Sequence, residues 1–336
     1  MRAVRLNELG GPQHLRLETI DDPAPAQGEI LVQITRAAFN RRDVFITQGL
    51  YPGIELPRTL GSDGTGVVAG LGSGVDGPAT GTPVVIDPML EWGPNPAVWS
   101  NGSSILGMPH DGTFAQYVVV PAGNVHPRPA HLSDDEAAAL PLAGLTAYRA
   151  LVTRGRVTRD DVVLLTGIGG GVQTFALLFA AYVGARTIVT SSSDDKLERA
   201  KALGADVTIN YKTSAAWAKD VRAAAGGGGP SLIIDSAGGD TFAQCLDIAR
   251  PGARIVTYGG TAPKANVRLF SLFWKHLDIL GTSMGSPQDF AGMLALVAEG
   301  KLKPAVDDVY AMKDAVIAAE RMNSSMQFGK IVLAIE

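Results

Sequence analysis

The chain has 336 residues, of which 46% are hydrophobic and 18% are charged, and this balance excludes a disordered chain. At about 150 residues per domain, the length predicts two domains. The net charge is −4 and the Lys and Arg residues are scattered, so we expect binding to neither nucleic acid nor a membrane. A single cysteine, Cys245, excludes an intramolecular disulfide and favours a reducing cytoplasm.

The first 130 residues contain short β-rich runs that Gly, Pro and Asn separate. This pattern predicts a mostly antiparallel β domain, which we assign to residues 1–130 and complete with residues 266–336. The predicted strands are Val4–Leu6, Glu29–Ile34, Gly66–Ala69, Pro83–Ile86, Gln116–Val120, Leu277–Leu280 and Lys330–Ala334, and the predicted helices of the closing segment are Asp289–Glu299 and Lys313–Arg321.

Residues 131–265 have a different pattern. Ser133 and Glu136 form a capping box before an alanine-rich helical run that extends to Val152. Strands then alternate with helices, which predicts βαβ units and a parallel sheet. The predicted strands are Val162–Thr166, Thr187–Thr190, Val207–Ile209, Leu232–Asp235 and Arg254–Thr257, and the predicted helices between them are Val172–Val183, Asp194–Leu203, Ala215–Ala224 and Thr241–Ala249.

A glycine-rich turn joins the first of these strands to its helix. The turn contains Gly167, Gly169, Gly170 and Gly171, and Val172 opens the helix. The pyrophosphate of a dinucleotide requires bare backbone N–H groups at a helix N-terminus, and side chains there would hold the phosphates away. The turn therefore predicts a Rossmann dinucleotide-binding domain. Gln173 stands where a small residue is expected, so it either alters helix packing or reaches toward the cofactor.

The end of the second strand indicates which dinucleotide binds. Enzymes that use NAD place an acidic residue there to hold the ribose hydroxyls. Here the strand ends in Ser191 and Ser192, and Lys196 follows in the next turn. Small hydroxyls and a cation suit a 2′-phosphate, so we favour NADP(H) over NAD(H). The serines also suit the capping of the next helix.

Several further segments occur in a characteristic order along the chain. They are Asn40–Asp43, Gly49–Pro52, Leu60–Val68, Asp111–Val118, Leu140–Tyr148, Leu203–Asp206, Ile209–Tyr211 and Phe328–Val332. Together they resemble the medium-chain dehydrogenase/reductase superfamily over essentially the whole chain, and most closely its zinc-free quinone oxidoreductase branch. The resemblance implies an α/β Rossmann domain inserted in a GroES-like catalytic domain.

The resemblance also implies roles for individual residues. Lys196 and Tyr211 match residues that similar NADPH-dependent quinone reductases use around the 2′-phosphate, and Thr146 matches a threonine near the nicotinamide. Lys330 matches a cationic position near the pyrophosphate. Two further pairs follow later strands that usually line the cofactor: Ser236 and Ala237, then Gly259 and Gly260.

The zinc alcohol dehydrogenases of this superfamily carry catalytic ligands where this chain has Asn40, Ser62 and Ala143, with an acidic neighbour at Asp63. An amide, a hydroxyl and a methyl group are poor zinc ligands. The segment 89–106, which corresponds to the structural zinc lobe, contains no cysteine. We therefore expect no metal. We expect Asp63 to pair with an arginine, and Arg41 and Arg42 to be surface or substrate-mouth charges.

Hydride transfer without a Lewis acid favours acceptors that delocalise the incoming charge, such as quinones and α,β-unsaturated carbonyls. Asn40 is a candidate hydrogen-bond donor, and Tyr51 matches the tyrosine proposed as proton donor in related enoyl thioester reductases. The sequence thus predicts an NADPH-dependent reductase of small electrophiles. Two alternatives stay open: an enoyl thioester reductase, and a catalytically weak NADPH-binding or sensor protein. We also expect a homodimer, because relatives pair along the strand at Leu277–Leu280.

Overall fold

The computed structural model describes residues 1–336 and contains two compact units. Unit 1 comprises Met1–Ala143 together with Ser286–Glu336, and unit 2 comprises Gly144–Gly285. The second unit is therefore inserted in the sequence of the first. Both boundaries fall later in the chain than the predicted positions after residues 130 and 265.

The strands in chain order are β1 (Arg2–Leu6), β2 (Leu15–Thr19), β3 (Glu29–Ala38), β4 (Arg58–Thr59), β5 (Asp63–Leu71), β6 (Pro83–Ile86), β7 (Met89–Leu90), β8 (Ser104–Ile105), β9 (Tyr117–Pro121), β10 (Val125–Pro127), β11 (Val162–Leu165), β12 (Arg186–Ser191), β13 (Val207–Asn210), β14 (Leu232–Asp235), β15 (Arg254–Thr257), β16 (Asp278–Gly281), β17 (Val306–Ala311) and β18 (Lys330–Ala334). The helices are α1 (Arg41–Thr47), α2 (Asp134–Ala139), α3 (Pro141–Tyr148), α4 (Gly171–Val183), α5 (Asp194–Ala202), α6 (Trp217–Ala224), α7 (Gly239–Ile248), α8 (Leu269–Trp274), α9 (Pro287–Gly300) and α10 (Ala315–Asn323).

Unit 1 is built on a seven-stranded sheet with the order β10-β6-β5-β3-β18-β17, in which β9 also pairs with β3. All of its strand pairs are antiparallel except β17 with β18. The central strand β3 alternates, so that Ile30, Val32 and Ile34 point into the core. Helix α2 packs on β3 and β5, which is why the first boundary lies beyond residue 130.

Unit 2 contains a six-stranded parallel sheet with the order β13-β12-β11-β14-β15-β16. This order is that of the Rossmann fold: strands are added on one side of the first strand and then on its other side, while all of them stay parallel. The central strands β11 and β14 are almost wholly buried, as expected for a sheet with helices on both faces. Because β16 belongs to this sheet, the second boundary lies beyond residue 265.

Several elements differ from the sequence predictions, and α1, β2 and β17 are among those that were not predicted. The helical run predicted to continue to Val152 is broken at Pro141 into α2 and α3, and a wider helical turn follows at Arg149–Arg154. Helix α8 was not predicted. The strand predicted at Leu277–Leu280 is β16, which lies at the edge of its sheet with one neighbour. None of the helices is long and apolar enough to cross a membrane.

Candidate active site

The glycine turn of unit 2 leaves open space at the start of α4. A methyl group added at Gly167 or Gly170 would meet no heavy atom within 4 Å, and Gly167 has a φ of +69°. Gly170 caps α4 without a side-chain hydrogen bond, so the first backbone N–H groups of the helix are available to an external anion. The turn therefore fits the pyrophosphate of a dinucleotide.

Lys196 lies across this turn. A methyl group added at Gly169 would stand 2.8 Å from Cδ and 3.1 Å from Nζ of Lys196, and Gly169 has a φ of +133°. The lysine can take this position only because residue 169 has no side chain. Its ammonium group thus lies beside the open backbone of the turn, where its positive charge would stabilise a bound phosphate.

A cavity of about 150 Å³ opens at the carboxyl ends of the central strands of unit 2. It is lined by Gly167, Thr190, Tyr211, Trp217, Ala237 and Thr241. The structure thus brings together three of the predicted cofactor residues. Thr190 was not predicted as a cofactor residue, and Trp217 and Thr241 were missed as well. The places of these last two at the start of the helices that follow β13 and β14 could have indicated them, because ligands of such sheets bind at the strands' carboxyl ends.

The remaining predicted cofactor residues of unit 2 occupy varied positions. The hydroxyl of Ser191 is buried and accepts a hydrogen bond from the Ser193 N–H at 3.2 Å, whereas Ser192 is half-buried. Ser236 and Ala237 face the turn that carries Gly259 and Gly260: a methyl group at Gly259 would lie 3.5 Å from Cβ of Ser236. Thr146 is buried in α3, and Val172 and Gly171 form the first turn of α4.

Gln173 has an internal role. Its Nε2 donates hydrogen bonds to the carbonyl oxygens of Thr166 at 3.0 Å and Ile234 at 3.1 Å, and the residue is buried. The side chain therefore connects the ends of β11 and β14. Asp235, which the sequence reasoning did not single out, lies at the end of β14. It accepts hydrogen bonds from the Thr166 hydroxyl and the Gly238 N–H, so it also joins the segments that follow β11 and β14.

A second polar cluster lies in unit 1 and is centred on Lys330. Its Nζ donates to Phe39 O, Asn40 Oδ1 and Asp63 Oδ2, each at 2.7 Å, and the residue is 2% exposed. An ammonium group has three N–H donors, and all three are used. The structure therefore gives Lys330 a different role from the predicted contact with a pyrophosphate. It also corrects the partner expected for Asp63, which is this lysine and not an arginine.

Asn40 is held rigidly in this cluster. Its Nδ2 donates to Asp63 Oδ2 at 2.9 Å, which leaves one amide N–H without a protein partner. Asp43, one turn along α1, accepts the Asn40 backbone N–H at 2.8 Å, whereas its Oδ1 is buried without a partner. Burial raises the pKa of Asp43 to about 6, and the charge of Arg42 opposes this rise.

Arg42 and Tyr51 form the other side of the cluster. Arg42 is 8% exposed, so of the two expected places, a surface or a substrate mouth, the surface is wrong for this residue. Arg41 reaches the exposed Ser325 hydroxyl. The Nη1 group of Arg42 donates to Ser62 Oγ at 2.6 Å, and its Nε donates to Tyr51 Oη at 3.2 Å. Ser62 in turn donates to Leu106 O at 2.8 Å.

The donor set in unit 1 does not fit a catalytic zinc ion. At the three ligand positions, the Asn40 oxygen is engaged by the Lys330 ammonium, Ser62 is bonded to a guanidinium and Ala143 offers only a methyl group. Zinc requires thiolate, imidazole or carboxylate ligands, and a neighbouring cation would repel it. No group of three or more His, Cys, Asp or Glu side chains is placed to hold a metal.

Comparisons with known proteins identify the family. The chain matches the alcohol dehydrogenase GroES-like domain over residues 26–130 and the zinc-binding dehydrogenase family over residues 171–299. It is 38% identical over 338 residues to the zinc-type alcohol dehydrogenase-like protein YogA of Leptosphaeria maculans, covering 96% of this chain and 94% of that protein. The chain belongs to the medium-chain dehydrogenase/reductase superfamily. The predicted family and the Rossmann and GroES-like architecture are confirmed.

Other relatives in the superfamily differ in activity. An acryloyl-coenzyme A reductase of Metallosphaera sedula is 29% identical over 345 residues, covering 99% of both chains. The solved structure of an NAD-dependent alcohol dehydrogenase is 38% identical, with a TM-score of 0.94 and complete coverage of both chains. As a medium-chain dehydrogenase/reductase, the chain is an oxidoreductase of a family that uses pyridine nucleotides.

Proposed function

We propose that the protein is an NADPH-dependent reductase that reduces quinones or α,β-unsaturated carbonyls without zinc. The observation that carries this proposal is the unit 1 cluster, where Asn40 and Ser62 are bonded to cations of the chain. Without a Lewis acid, the substrate itself must delocalise the negative charge that a hydride brings. Quinones and activated alkenes meet this requirement, whereas unactivated alcohols do not.

The residues of unit 1 supply hydrogen bonds to the charge that develops on the substrate. When bound, a reduced nicotinamide supplies the hydride. The free amide N–H of Asn40 can donate to a developing oxyanion, and the bonds to Lys330 and Asp63 fix its orientation. Tyr51 is half-buried and accepts a hydrogen bond from Arg42, so its own O–H remains to be donated.

The function is tested with a panel of acceptors. We expect NADPH oxidation, followed at 340 nm, with quinones and activated enones. With simple alcohols and NADP⁺ we expect no reduction of NADP⁺. Turnover of alcohols that depends on added Zn²⁺ would contradict the proposal. Complete inertness toward every acceptor would favour the alternative of a weakly catalytic NADPH-binding or sensor protein.

The preference for NADPH rests on Lys196. Its ammonium lies beside the glycine turn, and β12 ends in Ser191 rather than an acidic residue. Lys196→Ala should raise the KM for NADPH about 10- to 100-fold and the KM for NADH by a smaller factor, because both cofactors carry the pyrophosphate and only NADPH carries a 2′-phosphate. Lys201→Ala is the matched control, since this exposed lysine of α5 pairs with Glu198. Equal losses with both cofactors would show that Lys196 does not read the phosphate.

An enoyl thioester reductase is the second candidate. It is favoured by the similarity to acryloyl-coenzyme A reductase over nearly the whole chain. The two candidates are separated by kcat/KM values for a simple enone and for the coenzyme A thioester of the same unsaturated acid. A thioester preference of several hundred-fold would establish the second candidate.

We further propose that two copies pair along β16. This edge strand has one neighbour, and Ile279 on it is 38% exposed, close in sequence to the exposed Phe270, Phe273 and Trp274 of α8. An unpaired apolar edge favours association. Light scattering should give twice the chain mass for the wild type and the single mass for Ile279→Asp. Ile317→Asp, which changes an exposed isoleucine of α10, should stay dimeric.

A further inference from the structure

Arg42 is a buried cation whose hydrogen bonds all go to neutral oxygens. Its Nη1 donates to Ser62 Oγ at 2.6 Å and to Leu106 O at 2.9 Å, and its Nη2 makes a longer contact of 3.5 Å with Met108 O. A buried guanidinium normally pairs with a carboxylate, because removing its charge from water is costly. Here no carboxylate is hydrogen-bonded to it. Its charge acts on Asp43 only through space, by lowering the pKa of that carboxyl, so none of its N–H donors is taken by an anion.

The most acidic group that is hydrogen-bonded to this guanidinium is the phenol of Tyr51. The guanidinium carbon lies 4.7 Å from the centre of the Tyr51 ring, and Nε donates to Tyr51 Oη at 3.2 Å. Two contacts thus fix the phenol: a cation–π contact to the ring and a hydrogen bond to its oxygen. Because Oη is the acceptor, the phenol proton is directed elsewhere. Tyr51 also packs against the core of unit 1, so the ring cannot turn freely.

We propose that Arg42 is a positioning residue for proton transfer. Through Nε it holds the Tyr51 phenol with its proton free, and its charge stabilises the phenolate that remains once the proton has moved to the substrate. This inference rests on the proposed reduction of activated alkenes and adds to it the group that prepares the proton donor. The cation that supports the chemistry is then part of the chain, next to Ser62, one of the positions where zinc enzymes carry a ligand.

The reduction of an activated alkene then has two steps, a hydride transfer and a proton transfer. The hydride would come from a C–H bond of reduced NADPH, which is thereby oxidised to NADP⁺. It forms a C–H bond at the β-carbon of the alkene, while the π electron pair moves to the carbonyl oxygen as an enolate. The Tyr51 O–H bond breaks, its proton forms a C–H bond at the α-carbon, and the electron pair stays on the phenol oxygen. Water then returns a proton to Tyr51, which is half-buried and thus within reach of solvent.

Arg42 could instead act only as a clamp, because its bonds to Leu106 and Met108 hold the segment after β8. A double-mutant cycle with Tyr51 separates the two roles. If Arg42 acts through the phenol, its removal has little effect once the phenol is gone. If it is only a clamp, its removal lowers the rate by the same factor in both backgrounds.

The experiment measures kcat, KM and the solvent isotope effect for NADPH-driven reduction of an activated enone. Tyr51→Phe and Arg42→Met should each lower kcat about 10- to 100-fold with KM changed less than about 3-fold, in the range of acid–base catalysis. The double variant should be no slower than Tyr51→Phe. Arg42→Lys should recover part of the rate, and the neighbouring Arg41→Met should match the wild type. Where Arg42→Met fails to fold, the uncharged Arg42→Gln takes its place in the cycle.

Each outcome decides between the ideas. Multiplicative losses in the double variant, or a solvent isotope effect in Arg42→Met equal to that of the wild type, would overturn the inference and leave the proposed function intact. Wild-type activity in Tyr51→Phe would do the same. A wild-type protein that reduces no enone or quinone would overturn both.

Discussion

Replacing Gly170 with alanine should weaken cofactor binding without weakening the free protein. Gly170 has a φ of −78°, which any residue adopts, and an added methyl group would meet no heavy atom within 4 Å. Alanine is a poorer helix cap than glycine by a few tenths of a kcal/mol to about 1 kcal/mol, but it also reduces the entropy of the unfolded chain by a similar amount, and these effects nearly cancel. We therefore expect the melting temperature of the free protein to change by no more than about 2 °C.

The effect on binding is larger because the methyl group would occupy the space through which a phosphate reaches the first N–H groups of α4. Losing one hydrogen bond to a charged group costs about 1.5–3 kcal/mol, which corresponds to a Kd raised about 10- to 150-fold. Fluorescence titration with NADPH measures the Kd, and thermal unfolding measures the free protein. Gly228→Ala is the matched control, because residue 228 also faces open space with an ordinary φ. An unchanged Kd in Gly170→Ala would refute the assignment of this turn.

Two further changes test the buried charges of unit 1. Burial, with Asp289 nearby, raises the pKa of Asp87 to about 8, whereas the carboxyl ionises near 3.8 when unfolded; the folded protein therefore loses stability as pH rises through this range. Asp87→Asn should raise the melting temperature more at pH 8.5 than at pH 5.5, and an equal shift at both values would contradict this. Lys330→Met leaves Asp63 unpaired in the core and should cost about 3–5 kcal/mol in urea unfolding, most of which Asp63→Asn should restore in the double variant. A Lys330→Met variant as stable as the wild type would contradict a stabilising ion pair between Lys330 and Asp63.

The fold could be predicted where the local pattern of the chain matches its final environment. The strands Leu232–Asp235, Arg254–Thr257 and Lys330–Ala334 have the predicted bounds, because each is a short, largely buried apolar run flanked by turn residues. Helix α8 could not be found in this way. Its apolar residues Leu269, Phe270 and Phe273 are exposed, so the segment lacks the apolar stripe at 3.6-residue spacing, opposite a polar face, that marks a helix lying on a core.

The glycine turn of unit 2 and the polar cluster of unit 1 differ in the same way. The glycine turn is predictable, because its chemistry depends on residues adjacent in sequence. The surroundings of Arg42 depend on the carbonyl oxygen of Leu106, 64 residues away, and a backbone acceptor leaves no signal in residue type. Lys330 likewise meets Asn40 and Asp63 only through the pairing of β18 with β3 and of β3 with β5. The sequence shows that residues 42 and 330 are positively charged, but it does not show which groups they contact.

The most direct test of metal-free hydride transfer is a single-turnover measurement on chelator-treated protein whose metal content is determined by mass spectrometry. Stopped-flow absorbance at 340 nm would follow NADPH oxidation by an activated enone. We expect the chelator-treated protein, with less than one zinc ion per chain, to show the same rate and amplitude as the untreated protein. A rate that falls in proportion to the zinc removed, and that returns only when Zn²⁺ is added back, would contradict the account.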